Sequence, residues 1–186
     1  MKQIIVSALI AAALAAPLAA QAENAYVGAS IGRAEQKADV AGYSFKDNTT
    51  GYKLVGGYDF TKNFGLEAGY ADLREISISG YGARASSKPE VFYVAGTATL
   101  PIDEQFSVFG KAGIAAAHTT ISASLNGYSD HGTDNETTGV IGVGAAFNLN
   151  KNVSFVAEYE YFGKVAKDSG SSIKADLLSV GVRYKF

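Results

Sequence analysis

Apolar and polar residues alternate along most of this 186-residue chain. The last stretch, LLSVGVRYKF, is typical: every second residue from Leu178 to Phe186 is apolar, and the residues between them are small or charged. Alternation with a period of two predicts a β-strand with one apolar face. The pattern recurs over eight segments, which are 25–32, 52–60, 63–71, 92–100, 106–116, 141–149, 153–161 and 178–186.

The segments between these strands alternate in length. Short turns follow strands two, four and six, whereas longer polar segments, at residues 34–50, 75–90, 118–137 and 163–175, follow strands one, three, five and seven. The smallest transmembrane barrels have eight strands of about ten residues, short periplasmic turns and longer outer loops. We therefore predict an all-β fold, an eight-stranded antiparallel transmembrane β-barrel, with four long loops outside the cell.

The aromatic residues and the charges indicate which face of each strand meets lipid. Aromatic rings fall near both ends of the apolar faces, as expected for the two girdles of a membrane barrel. A soluble sandwich or lipocalin-like barrel would also alternate, but its apolar faces point inward. Here the opposite faces carry charges among small residues, so a soluble fold would have to bury those charges or expose eight apolar faces.

The first 22 residues predict export from the cytoplasm. They contain the basic Lys2, an apolar run from Ile4 to Leu18 and the tripeptide AQA that ends at Ala22. These are the three parts of a cleavable secretory signal, and the Ala-rich run with its cleavage site argues against an uncleaved anchor. We expect a signal peptide at residues 1–22, a barrel domain at residues 23–186, and a location in the outer membrane of a Gram-negative bacterium.

Composition excludes several functional classes. The 16 basic and 18 acidic residues give a net charge of −2, which is not the basic signature of a nucleic-acid binder. Cysteine is absent, so disulfides, thiolate metal sites and thiol nucleophiles are excluded. The sequence also lacks the short motifs of metalloproteases and P-loop proteins.

Two histidine-containing stretches come nearest to an active site or a metal site. Strand alternation places His118 on the lipid-facing side at the outer rim. Ser122 lies on the same face, but it is four residues away along a strand, which is too far for His118 to activate it. The stretch SDHGTDNE, residues 129–136, gathers three acids around His131, but its spacing matches no calcium-loop motif. We therefore predict no enzyme, no metal and no cofactor, with a lipid A-modifying enzyme that uses His118 as the least favoured alternative.

Strand parity places six charged residues inside the barrel. They are Glu67, Lys111, Glu158 and Arg183 in the half nearer the short turns, and Lys53 and Glu160 one level above. The interior of an eight-stranded barrel is only wide enough for side chains, and unpaired charges there are costly. Because three acids and three bases sum to zero, we predict a hydrogen-bonded network that fills the lumen. A structural plug is the favoured interpretation, and a narrow porin-like path for ions is the alternative.

Three segments, VAEYEYFGKV, LLSVGVRYKF and NFGLEAGY, resemble the small eight-stranded outer-membrane barrels. This family includes the membrane domain of outer-membrane protein A, OmpX, and the opacity and neisserial surface protein A group. The resemblance is closest in the last third of the chain, and strand pattern and loop order carry it elsewhere. It implies an interior acid–base network, with Glu67 and Glu158 at matching positions. It also implies that Val182, Tyr184 and Phe186 form the terminal signal read by the barrel-assembly machinery.

Four cations are expected close to the outer surface of the membrane. They are Arg33, Arg74, Lys88 and Lys174. Cations at that height can pair with lipopolysaccharide phosphates, and Arg suits bidentate contact. Ordinary snorkelling of long basic side chains at the interface is the alternative interpretation.

The expected outer loops contain aromatic residues among small polar ones, a composition suited to protein recognition. These aromatics are Tyr43, Phe45, Tyr81 and Tyr128. The family resemblance implies adhesion or the binding of host factors through such loops. We therefore predict a non-enzymatic outer-membrane protein with a structural or surface-interaction role, which contacts lipopolysaccharide and an external protein. A closed barrel needs no second subunit, which favours a monomer.

Overall fold

The structure is a computed structural model that describes residues 24–40, 43–74, 76–80, 83–125, 128–168 and 171–186. The predicted signal peptide and Tyr81 lie outside the described residues. The strands are β1 (Ala25–Val40), β2 (Tyr43–Asp59), β3 (Phe64–Asp72), β4 (Ile76–Gly80), β5 (Ala83–Pro101), β6 (Phe106–Leu125), β7 (Tyr128–Asn148), β8 (Val153–Asp168) and β9 (Ser171–Lys185). In this part of the chain, no helix is long and apolar enough to cross a membrane.

These nine segments form one closed eight-stranded barrel. β3 and β4 both pair with β5, so together they act as a single interrupted strand. The neighbouring pairs are antiparallel, and β9 returns to β1 in a register that runs from Tyr26↔Lys185 to Asp39↔Ser172. Pairing the first and last strands removes the free sheet edges that a bilayer does not tolerate. The predicted eight-stranded antiparallel barrel is confirmed.

The apolar face of each strand points outward, toward lipid. On β9, Leu178 and Val180 are 60% and 59% exposed, whereas the alternate residues Leu177 and Ser179 are buried. Aromatic pairs lie at both ends of this outward face. Tyr58–Phe60, Phe106–Phe147 and Tyr184–Phe186 lie near the short turns, and Tyr70–Phe92 lies near the other end. Rings at both levels match the two interfaces of a bilayer.

The segments predicted to be long polar loops are mostly β-strand, which continues the hairpins beyond the lipid-facing belt. β1 and β2 stay paired out to Val40↔Tyr43, and β6 and β7 stay paired out to Leu125↔Tyr128. A strand gives an apolar alternation only where one face meets lipid or a core. Beyond the membrane these extensions are polar, and the sequence therefore does not show the pattern there.

Outside the membrane the barrel divides into two four-stranded sheets. Pairing of β2 with β3 ends at Tyr52↔Asp72, and pairing of β7 with β8 ends at Ile141↔Tyr161. In the described residues beyond these points, β2 pairs only with β1, β4 with β5, β7 with β6 and β8 with β9. We call β2–β1–β9–β8 the first outer sheet and β4–β5–β6–β7 the second. Arg74 and Gly163, at φ 64° and 62°, lie where the two sheets part.

Candidate functional site

Two lysines and three glutamates form the centre of the lumen, in the half nearer the short turns. Lys111 Nζ lies 2.7 Å from Glu158 Oε1 and 2.6 Å from Glu160 Oε1. It also donates to Glu67 Oε1 at 2.8 Å. Lys53 Nζ donates to Glu158 Oε2 and, at 2.5 Å, to Glu160 Oε2. Each of the five residues is at most 5% exposed, so these charges are satisfied by one another and not by water.

Glu67 is the most heavily bonded member of the cluster. Its Oε2 accepts from Tyr26 Oη at 2.9 Å and from Arg183 Nη2 at 3.1 Å. Its Oε1 accepts from Tyr93 Oη at 2.8 Å in addition to Lys111. The structure thus brings together all six charged residues that strand parity placed in the lumen. Three acids and three bases leave the cluster without net charge, as a low-dielectric interior requires.

The two tyrosines of this network were not predicted. Each ring lies across an inward-facing glycine on a neighbouring strand: a Cβ at Gly57 would come 2.2 Å from Tyr26 Cζ, and one at Gly69 would come 2.3 Å from Tyr93 Cζ. The glycines make room for the rings, and the rings carry their hydroxyls to Glu67. In both pairs, strand alternation points the tyrosine and the glycine into the lumen from neighbouring strands. A tyrosine opposite a glycine at such positions is the sequence signal that could have predicted them.

A second lumen layer, nearer the cell exterior, is apolar. Leu73, Val91, Val140, Phe162 and Leu177 are all 0% exposed and belong to one hydrophobic cluster. Tyr93 contributes to both layers, because its ring lies 6.1 Å from that of Phe162 while its hydroxyl bonds Glu67. The lumen therefore contains an ion network with a buried apolar layer above it. We call these five residues the apolar cap.

The four predicted rim cations lie at the outer end of the lipid-facing surface, in different electrostatic settings. Arg33 and Arg74 are exposed. Lys88 Nζ is paired with Glu90 Oε1 at 2.7 Å and lies 3.7 Å from Asp72 Oδ2. Lys174 is half-buried and also has an interaction partner.

The remaining candidates on the outer side are only partly described. The backbones of Tyr43, Phe45 and Tyr128 lie in the outer hairpins, and the predicted role of their side chains stays a prediction. The same holds for the acidic stretch at residues 129–136, of which the side chains up to residue 134 lie outside the described set.

His118 is exposed at the outer rim, as its parity indicated, and its Nδ1 lies 2.6 Å from Asn135 Oδ1. The register places an acid, Glu90, directly opposite it on β5. Sequence reasoning missed Glu90 because it searched only along the same strand. That acid is already paired with Lys88, at 2.7 Å, and the contact of the His118 ring is with Asn135.

The predicted assembly signal occupies the end of β9. Val182 and Tyr184 are exposed on the lipid-facing side, and the Phe186 ring packs on Tyr184 with centroids 5.2 Å apart. The Phe186 N–H donates to the Ala25 carbonyl at 3.0 Å. The end of the last strand is thus bonded to the start of the first, at the seam that closes the barrel.

Known proteins share this architecture. The attachment invasion locus protein of Yersinia enterocolitica is 27% identical over 184 residues, which cover 96% of this chain and 98% of that protein. Crystal structures also align. Ail of Yersinia pestis, solved with the heparin analogue sucrose octasulfate, is 23% identical with a TM-score of 0.58, covering 86% of this chain and 99% of that one.

A third likeness and a family model extend the comparison. The N-terminal β-barrel domain of Pseudomonas aeruginosa OprF gives a TM-score of 0.61 at 15% identity, covering 89% of this chain and 100% of that one. The model of the OmpA-like transmembrane domain matches residues 20–186. The resemblance to small outer-membrane barrels that the sequence indicated is confirmed. The chain therefore belongs to the OmpA-like transmembrane domain family and is an outer-membrane β-barrel.

Proposed function

We propose that this protein is a non-enzymatic surface protein that attaches to an external partner through its two outer sheets. One observation carries the proposal: strand pairing continues well beyond the lipid-facing belt, out to Val40↔Tyr43 and Leu125↔Tyr128. A barrel that only spans a membrane needs strands of about 9–11 residues, but β6 and β7 have 20 and 21. The extra length holds polar hairpins away from the bilayer, where another molecule can reach them.

The relatives support this role. Two curated relatives of similar length are attachment invasion locus proteins, and a structural neighbour was solved with a heparin analogue. We propose that attachment to a host surface is the function of this chain as well. The rim cations Arg33, Arg74, Lys88 and Lys174 would contact lipopolysaccharide at the same time and hold the outer sheets upright. We further propose that residues 1–22 are removed on export, that the C-terminal signal directs assembly, and that the mature protein is a monomer.

Trimming the outer hairpins tests this proposal. Deleting residues 36–47 and 121–132, with an Asn-Gly turn in place of each, leaves the pairs Glu35↔Asn48 and Thr120↔Thr133 to close the shortened hairpins. We expect bacteria that display the trimmed barrel to bind cultured epithelial cells no better than bacteria without the protein. Each single deletion serves as the matched control for the other, and heat-modifiable gel migration reports barrel folding. Undiminished binding by a folded double deletion would contradict the proposal.

The apolar cap argues against the porin-like alternative. Five side chains with no exposure pack together above the ion network, and a tightly packed apolar constriction is a barrier to ions. We expect silent planar bilayers from the wild-type protein and also from Glu158→Gln, because that change leaves the cap in place. Only a variant that opens both layers, such as Glu158→Gln with Phe162→Ala, should give discrete steps. Discrete conductance steps from the wild-type protein that change with Glu158→Gln alone would support the channel interpretation.

A further inference from the structure

The strand β4 lies at an edge of the second outer sheet. It pairs with β5 from Ile76↔Ser87 to Gly80↔Ala83, and it stands last in the strand order of the sheet. Among the strand pairings of the described residues, none involves the other side of β4. The backbone N–H and C=O groups of successive residues point to opposite sides of a strand. β4 therefore presents unpaired backbone donors and acceptors along this open side.

The break after β3 creates this edge. Up to Asp72, β3 is paired on both sides, with β2 and with β5. The Leu73 N–H still donates to the Pro89 carbonyl at 3.2 Å, and Arg74 then has a left-handed backbone at φ 64°. Pro89 lies on β5 at this break and has no N–H to give to a neighbouring strand. The chain rejoins β5 at Ser87, but in the described residues it does not rejoin β2.

The other open edges of the two outer sheets carry charges, whereas β4 carries none. These edges are residues 43–51 of β2, 128–140 of β7 and 162–168 of β8, and each contains at least two Lys, Asp or Glu residues. Charged residues are the usual protection of an edge strand against pairing with a foreign strand. The sequence of β4 is ISISG, with two β-branched isoleucines and no proline. Among the described strands, β4 is thus the unprotected edge.

A continuous sheet supports β4 from behind. Beside β4, β5 pairs with β6 from Ala83↔Leu125 to Ser87↔Ile121, and those residues of β6 pair in turn with β7. The open backbone groups of β4 are therefore held on a fixed template, and a segment that binds there has to order only itself. This part of the sheet lies beyond His118 at the outer rim, so it is reached from outside the cell.

We propose that β4 is the attachment site of this protein and that it binds an extended, uncharged peptide segment of an external protein as an additional strand. This inference rests on the proposed function and specifies its partner. Donors and acceptors that follow one another at strand spacing match another polypeptide backbone, which a polysaccharide or a lipid headgroup does not provide. Main-chain hydrogen bonds hold the segment, and a charged segment gains no ion pair from ISISG.

Proline substitutions at two consecutive positions of β4 test this mode of binding. Since successive N–H groups point to opposite sides, one of Ser77→Pro and Ile78→Pro removes a donor toward β5 and the other removes a donor toward the open edge. Hydrogen exchange of the wild-type protein in lipid vesicles identifies the open-edge amide as the faster of the two. We expect the open-edge variant to weaken attachment of displaying bacteria to cultured epithelial cells by about tenfold, while the amides of residues 84–87 stay protected.

Charge substitutions give a second, independent measurement. Ile78→Lys adds the protection that β4 lacks and should also weaken attachment by about tenfold. Thr49→Lys places the same charge on the open edge of β2, which already carries Lys46 and Asp47, and should change attachment less than about twofold. Heat-modifiable migration of each variant confirms that the barrel is folded.

Two outcomes would overturn the inference. One is strong protection of both the Ser77 and Ile78 amides in the protein alone, since the edge of β4 would then already be paired. The other is wild-type attachment by the folded open-edge variant and by Ile78→Lys. If the double hairpin deletion still abolished attachment in that case, the proposed function would stand and only the role of β4 would be lost. Undiminished attachment by the double deletion would instead remove the proposed function.

Discussion

Replacing Lys111 with methionine is expected to lower the free energy of unfolding by about 3–5 kcal/mol, the usual cost of breaking a buried ion cluster by removing one partner. Lys111 is the cation that reaches all three carboxylates, at 2.6–2.8 Å. Without it, three buried acids share Lys53 and Arg183, and the lumen holds one uncompensated negative charge. Methionine keeps most of the length of the side chain, so the loss mainly reports charge and hydrogen bonding, with a small contribution from a cavity.

Urea unfolding in lipid vesicles measures this loss, and two variants control it. Lys151→Met removes an exposed lysine from a short turn and should leave the unfolding midpoint unchanged. Lys111→Met combined with Glu160→Gln restores neutrality and should recover part of the stability, since the two residues contact each other at 2.6 Å. A loss for Lys111→Met no larger than that for Lys151→Met would mean that water or ions enter the lumen and solvate the acids.

The sequence predicted the membrane-spanning part of the fold because lipid and lumen impose opposite chemistry on alternate residues. From Leu177 to Phe186 this contrast is sharp, and parity alone placed Arg183 inside and Val182 outside. The six lumen charges followed from the same rule, and the structure brings them together. Parity also gave their number and sign, but it could not give their partners, because contacts across a lumen depend on strand tilt and shear.

Two parts of the architecture could not be predicted in this way. The outer sheets lie beyond the membrane, where lipid no longer selects one apolar face, so residues such as Lys46 and Asp47 carry no periodic signal and the hairpins looked like loops. The apolar cap was missed for a related reason. Leu73 and Phe162 lie just beyond the alternating segments 63–71 and 153–161, and the lumen packs hydrophobic side chains there.

The second large effect is expected from a substitution of Gly32, at the seam where β1 pairs with β9. Replacing Gly32 with valine should destabilise the barrel by about 3 kcal/mol, at the upper end of the usual cost of overpacking. Gly32 pairs with Ser179 across the β1–β9 seam, and a Cβ there would lie 2.1 Å from the Leu178 carbonyl oxygen and 2.5 Å from Ser179 Cα. Because backbone atoms cannot rotate away as side chains can, the two strands would have to separate.

The matched control is Gly56→Val on β2, where a Cβ would meet nothing within 4 Å and the added methyl groups would contact lipid. The fraction of refolded chain with folded, heat-modifiable migration measures both variants. We expect Gly32→Val to lose most of this form and Gly56→Val to keep it. If both variants folded equally well, β1 and β9 would be further apart than the register from Tyr26↔Lys185 to Asp39↔Ser172 requires. Closure would then depend less on this seam than on the lumen network that links β2, β3, β6, β8 and β9.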